Sequence, residues 1–147
     1  MADLEREILI DASPETIFGF LTDPEKHTQW EGTEAQLDPR PGGVYRVVIA
    51  GEYVAAGEFV EVVPNERVVL TFGWDMEGNP IKPGSTTVEF TLHAEGGKTR
   101  LHLRHTGLPD ADAVQLHTHG WDHYLGRLAV VAAGGDAGPD TGPGDPD

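Results

Sequence analysis

The chain contains no cysteine, which excludes disulfide staples, thiolate metal sites and cysteine nucleophiles. Serine is nearly missing as well. Ser13 and Ser85 are the only two, one at a helix start and one in a loop, and neither sits in a nucleophile elbow. Basic side chains are scarce: 10 Lys and Arg stand against 25 Asp and Glu, a formal charge of −15. Such a surface repels phosphate backbones and anionic lipid, so neither nucleic acid nor a membrane is an expected partner. No apolar run reaches the roughly 18 residues that a bilayer span needs. The first ten residues, MADLEREILI, are charged and alternating, unlike a secretory signal, so the cytoplasm is the simplest address. A phosphate-cradling loop is lacking too, because Gly42-Gly43 precedes a strand rather than a helix N-terminus.

What remains is enough for one domain. At 147 residues and 38% hydrophobic content, the chain can bury about 70% of its unfolded surface. The last fourteen residues, GGDAGPDTGPGDPD, have too little apolar surface to fold and too much Gly and Pro for regular structure. Residues 1–133 are therefore expected to form the domain, and 134–147 a disordered acidic tail. Four of the 25 acidic residues lie in that tail, leaving 21 against 10 basic ones in the domain.

The order of elements is readable. Leu4, Arg6, Ile8 and Ile10 share one face of a first strand. Ser13-Pro14-Glu15 opens a helix that Asp23-Pro24 ends, and a second short helix runs toward Trp30. Residues 31–43 read as loop. Five strands follow, joined by turns: from Val44 with Tyr45 inward, from Tyr53, from Arg67 with Phe72 and Trp74 inward, from Thr86, and from Thr99 with His105 inward. The segment from Asp110 to Ala133 is a long helix whose broad face carries His117, Trp121, Tyr124, Leu125 and Leu128. Such a face needs a sheet to lie on. The expected fold is α+β, a six-stranded antiparallel sheet with a long C-terminal helix lying on it.

Several motifs in this order resemble the START-like (SRPBCC) superfamily with its birch-pollen-allergen-like helix-grip fold. In particular they resemble the group named after the activator of the heat-shock chaperone ATPase. They are Ala12-Ser13-Pro14-Glu15-Thr16-Ile17-Phe18, Trp30, Gly42-Gly43-Val44-Tyr45, the run from Gly57 to Val68, Thr71-Phe72-Gly73-Trp74, Thr99-Arg100-Leu101-His102-Leu103 and His119-Gly120-Trp121. The resemblance implies a curved sheet around the helix with a cavity between them. It is compatible with a homodimer, and it brings three function classes: a carrier or sensor of a small hydrophobic molecule, a chaperone-partner module, and a polyketide cyclase or aromatase.

The candidate lining of that cavity is Trp30, Tyr45, Phe72, Trp74, Trp121 and Tyr124, with His105 and His117 as polar points. Plain core packing is the alternative for each. In an enzyme of the cyclase kind His105, His117 or Tyr124 would be the acid–base group, although a core histidine satisfied by a backbone group is the favoured reading of His105. His119 and His123 stand one helical turn apart but have no converging third ligand, so no metal site is expected. Neither a cofactor nor a catalytic residue is assigned from the sequence. The primary expectation is binding of a small hydrophobic or aromatic ligand.

Overall fold

The Ser13 hydroxyl accepts the Thr16 amide at 3.2 Å and starts α1 (Pro14–Thr22), with Pro14 in the first turn. Asp23 then caps α2 (Pro24–His27) by accepting the Glu25 amide at 2.9 Å. The long helix is capped the same way, Asp110 accepting the Ala113 amide at 2.9 Å, and Gly134 at positive φ follows its end. These details come from a computed structural model, which describes residues 2–50 and 53–143.

Strand β1 (Ala2–Ile10) precedes the two short helices. Strands β2 (Glu34–Leu37), β3 (Val44–Ile49), β4 (Tyr53–Val63), β5 (Arg67–Trp74), β6 (Thr86–Glu95) and β7 (Lys98–Leu108) then lead to α3 (Ala111–Ala132). All pair antiparallel in the order β1-β7-β6-β5-β4-β3-β2, so the chain meanders and the first strand returns beside the last. Among the described residues the sheet therefore has seven strands rather than the six expected. The extra one, β2, is Glu-Ala-Gln-Leu: Ala35 and Leu37 alternate with Glu34 and Gln36, but over four residues only, and the strand exists by pairing with β3 at the sheet edge. Pattern alone does not reveal such a strand.

The phase of the other strands follows their alternation. Tyr45, Val47, Phe59, Val68, Leu70, Phe72, Val88, Phe90, Leu101, Leu103 and His105 are all buried in one core with Trp121, Leu125 and Leu128 of α3. Arg6 shares the inward parity of Leu4 but reaches the edge of α3, where its Nε–H donates to Asp122 at 2.7 Å. A bulge between Phe59 and Glu61 interrupts the β4–β5 register and bends the sheet there. Gly73 is required by close approach: a Cβ at that position would run into the Lys82 carbonyl, and the neighbouring Trp74 amide donates to the Ile81 carbonyl at 2.8 Å.

The C-terminal residues differ from expectation. From Gly134 to Pro143 they form no helix or strand, yet they lie against the domain. Arg127 donates to the carbonyls of Ala137 at 2.9 Å and Gly138 at 2.8 Å, and Asp140 is buried. Polar contacts hold this stretch, which a composition argument based on apolar burial does not count. Residues 144–147 lie outside the described residues. Among the described residues no helix is long and apolar enough to cross a membrane.

Candidate functional site

A cavity of about 420 Å³ lies between α3 and the β3–β5 end of the sheet. Phe72 and Trp74 come from β5, Ile49 from β3, and Tyr53 from the start of β4. The helix adds Leu116, His117, Gly120, Trp121 and Tyr124. Glu31 enters from the segment after α2, Asn79 from the β5–β6 loop, and Thr141, Gly142 and Pro143 from the C-terminal stretch. Strand alternation puts Phe72 and Trp74 on one face, and α3 presents His117, Trp121 and Tyr124 at spacings of four and three.

The aromatic walls are locked by hydrogen bonds. Trp74 Nε1–H donates to His117 Nε2 at 3.1 Å, and His117 Nδ1–H donates to the Ala113 carbonyl at 2.7 Å. Trp121 Nε1–H donates to His105 Nδ1 at 3.1 Å. His105 Nε2–H therefore donates to Thr86 Oγ1 at 2.8 Å, and the Thr86 hydroxyl donates to the Phe72 carbonyl at 2.8 Å. Each indole N–H requires an acceptor, which fixes both imidazoles as neutral tautomers. Burial pushes His105 down to about 3, with nearby His117 acting in the same direction. His117 is also lowered by burial, partly offset by its bond to Ala113.

The opposite end of the site is acidic. Glu31 is buried, and His27 Nε2–H donates to its Oε1 at 2.8 Å. That tautomer leaves His27 Nδ1 buried without a partner. Tyr124 donates its hydroxyl to Asp140 at 3.0 Å, while the other Asp140 oxygen accepts the Gly32 amide at 2.6 Å. The Tyr124 hydroxyl is raised well above its ordinary range by burial, then by the charges of Glu31 and Asp140. Tyr45 is raised likewise, by burial first and Glu31 second.

A model of the family described as activator of Hsp90 ATPase homolog 1-like protein matches residues 11–133. The chain belongs to this AHSA1-like family. It is 45% identical to an AHSA1-like protein from Rhizobium etli, over 94% of this chain and 86% of that one, with a TM-score of 0.73. A solution structure of the Aha1 dimer from Colwellia psychrerythraea is 20% identical over 92% of this chain and 98% of that one, with a TM-score of 0.78. An HSP90 activator from Plasmodium falciparum is 21% identical over 89% and 96%, with a TM-score of 0.74. The last two likenesses are ones of fold. No curated protein matches the chain.

Of the eight residues that sequence reasoning placed in the cavity of this AHSA1-like chain, Phe72, Trp74, His117, Trp121 and Tyr124 line it together. Trp30, Tyr45 and His105 stand behind the wall. Trp30 is fully buried, its Nε1–H donating to the Phe20 carbonyl at 2.8 Å. His105 is satisfied by the Thr86 and Trp121 side chains rather than by a backbone group, so no ring nitrogen is left for a general base. Sequence reasoning missed Glu31, Tyr53, Asn79, Leu116 and the C-terminal residues. Glu31 did leave one signal, the His27–Glu31 spacing of four.

Proposed function

We propose that this AHSA1-like protein binds a small apolar or aromatic molecule in the cavity under α3, as a carrier or sensor. One observation supports it above the rest: a cavity of about 420 Å³ walled by Phe72, Trp74, Trp121 and Tyr124, with few polar points. That volume falls within the usual range of ligand pockets, about 300–1,000 Å³. The walls are pre-organised, because both indoles are tied to histidines by hydrogen bonds. Binding then costs little side-chain ordering.

The same bonds favour binding over turnover of the cyclase or aromatase kind. His105 and His117 each have both ring nitrogens engaged, so a proton-transfer role would first have to break a buried bond. A thermal-shift screen of apolar and aromatic compounds tests the proposal. A ligand at a hundred times its dissociation constant adds about 2.7 kcal/mol. In a domain of this size that is a rise of about 5–11 °C. Native mass spectrometry showing no bound molecule, together with no shift from any compound, would count against it.

The family match supports a second reading, a partner of a heat-shock chaperone. Stimulation of the chaperone's ATPase by the purified protein tests it, and no stimulation dismisses it. Self-association into a homodimer is part of the same reading and is checked by sedimentation equilibrium.

A further inference from the structure

Among the described residues the cavity has one charged lining residue, and it is a carboxylate. Glu31 reaches the wall while 3% exposed, and one of its oxygens is engaged by His27 at 2.8 Å. No lysine or arginine lines the cavity among the described residues. His117 is held neutral by burial and is spent on Trp74 and Ala113. Near Glu31, the Tyr124 hydroxyl gives its proton to Asp140, so its oxygen is left with acceptor capacity. The polar end of the cavity therefore presents acceptors.

The rest of the lining offers electron-rich faces: Trp121 and Tyr124 from the helix, Trp74 and Tyr53 from the sheet. Aromatic faces attract cations, and more strongly when water is excluded. A carboxylate out of bulk water costs free energy unless its lone pairs are satisfied; His27 donates to one Glu31 oxygen, and the buried Tyr45 hydroxyl also reaches this carboxylate, so an ammonium would join a site already built around it. An anionic ligand such as a fatty acid would bring a second negative charge to this end. A protonated amine would cancel the existing one.

From this juxtaposition we propose that the ligand is an aromatic amine: an apolar ring body packed between Trp74 and Trp121, with its ammonium donating to Glu31 and to the Tyr124 hydroxyl. This rests on the cavity reading above and narrows it to a chemical class. It also assigns Glu31 as the specificity-determining residue.

Three probes share one ring and differ in end charge: tryptamine, the neutral indole-3-ethanol and the anionic indole-3-acetate. Calorimetric titration of the full chain at neutral pH should place tryptamine ahead of indole-3-acetate by about tenfold or more, as one charge-assisted hydrogen bond would give. In Glu31→Gln that preference should collapse, with indole-3-ethanol binding as before. Equal affinity for all three would overturn the amine inference and leave the cavity reading intact. A tryptamine preference that persists in Glu31→Gln would overturn it too, because the net charge of −15 would then be attracting the cation without this residue. No binding of any probe at millimolar concentration would sink both. Should Glu31→Gln fail to fold, nuclear Overhauser contacts in the unaltered protein decide the matter. Contacts from the tryptamine aminoethyl protons to Glu31 and Tyr124 are expected, and contacts placing that end at Leu116 and Pro143 would refute the assignment.

Discussion

Lowering the pH from 7 to 5 should destabilise this protein through His105. The ring is fully buried between Thr86, Trp121, Phe72 and His117, and burial lowers its pKa from the ordinary 6.5 to about 3. The folded protein thus keeps the neutral ring where the unfolded chain takes a proton. Above the unfolded value the stabilisation from the neutral ring is complete, and it is lost progressively between about 6.5 and about 3. Going from pH 7 to pH 5 costs about 2 kcal/mol from this one residue. For a domain of this length the melting temperature should fall by about 4–8 °C. Urea unfolding of the unaltered protein and His105→Gln at pH 7, 6 and 5 isolates the effect. The packing cost of the substitution is present at every pH, so only the change in the difference between the two proteins reports the titration. That difference should shrink by about 2 kcal/mol between pH 7 and 5. A difference that stays constant, or an NMR titration of the His105 ring near 6.5, would refute the reasoning.

Three more outcomes follow from single contacts. Trp121→Phe keeps the aromatic wall but removes the donor to His105 Nδ1, leaving a buried acceptor unpaired, and should cost about 1–3 kcal/mol in urea unfolding. Gly73→Ala drives a Cβ into the Lys82 carbonyl, so the β5–β6 loop must move; a loss of about 1–3 kcal/mol is expected, and an unchanged midpoint would contradict the close approach. Arg127→Ala removes the bonds to the Trp30, Ala137 and Gly138 carbonyls, which should speed amide exchange at Gly32 and Gly142, both bonded to Asp140, and open the C-terminal stretch to limited proteolysis.

Local chemistry carried much of the architecture. Ser13, Asp23 and Asp110 cap their helices through bonds to residues two or three positions away, so nothing distant is needed to read them. Alternation placed Tyr45, Phe72 and His105 on the inward face, because a strand has a period of two wherever it is half-buried. Helical spacing likewise put His117, Trp121 and Tyr124 together. The strand β2 stayed hidden because four alternating residues are too short a repeat to distinguish from loop, and pairing with β3 defines it.

The division between lining and core was decided only in three dimensions. Tyr45 and Phe72 have the same inward parity, yet one stands behind the wall and the other faces the cavity, since depth depends on how far neighbouring strands and α3 approach. His105 reads from sequence as a core histidine satisfied by a backbone group, but its partners are the side chains of Trp121, sixteen residues away, on one ring nitrogen and Thr86 on the other. Glu31 and Asp140, more than a hundred residues apart, meet the same cavity end through Tyr124 and Gly32. Sequence determined which residues face inward, because that depends on a repeat along one chain segment. Tertiary structure decided which of them still have an unfilled side, because that depends on what every other segment has already covered.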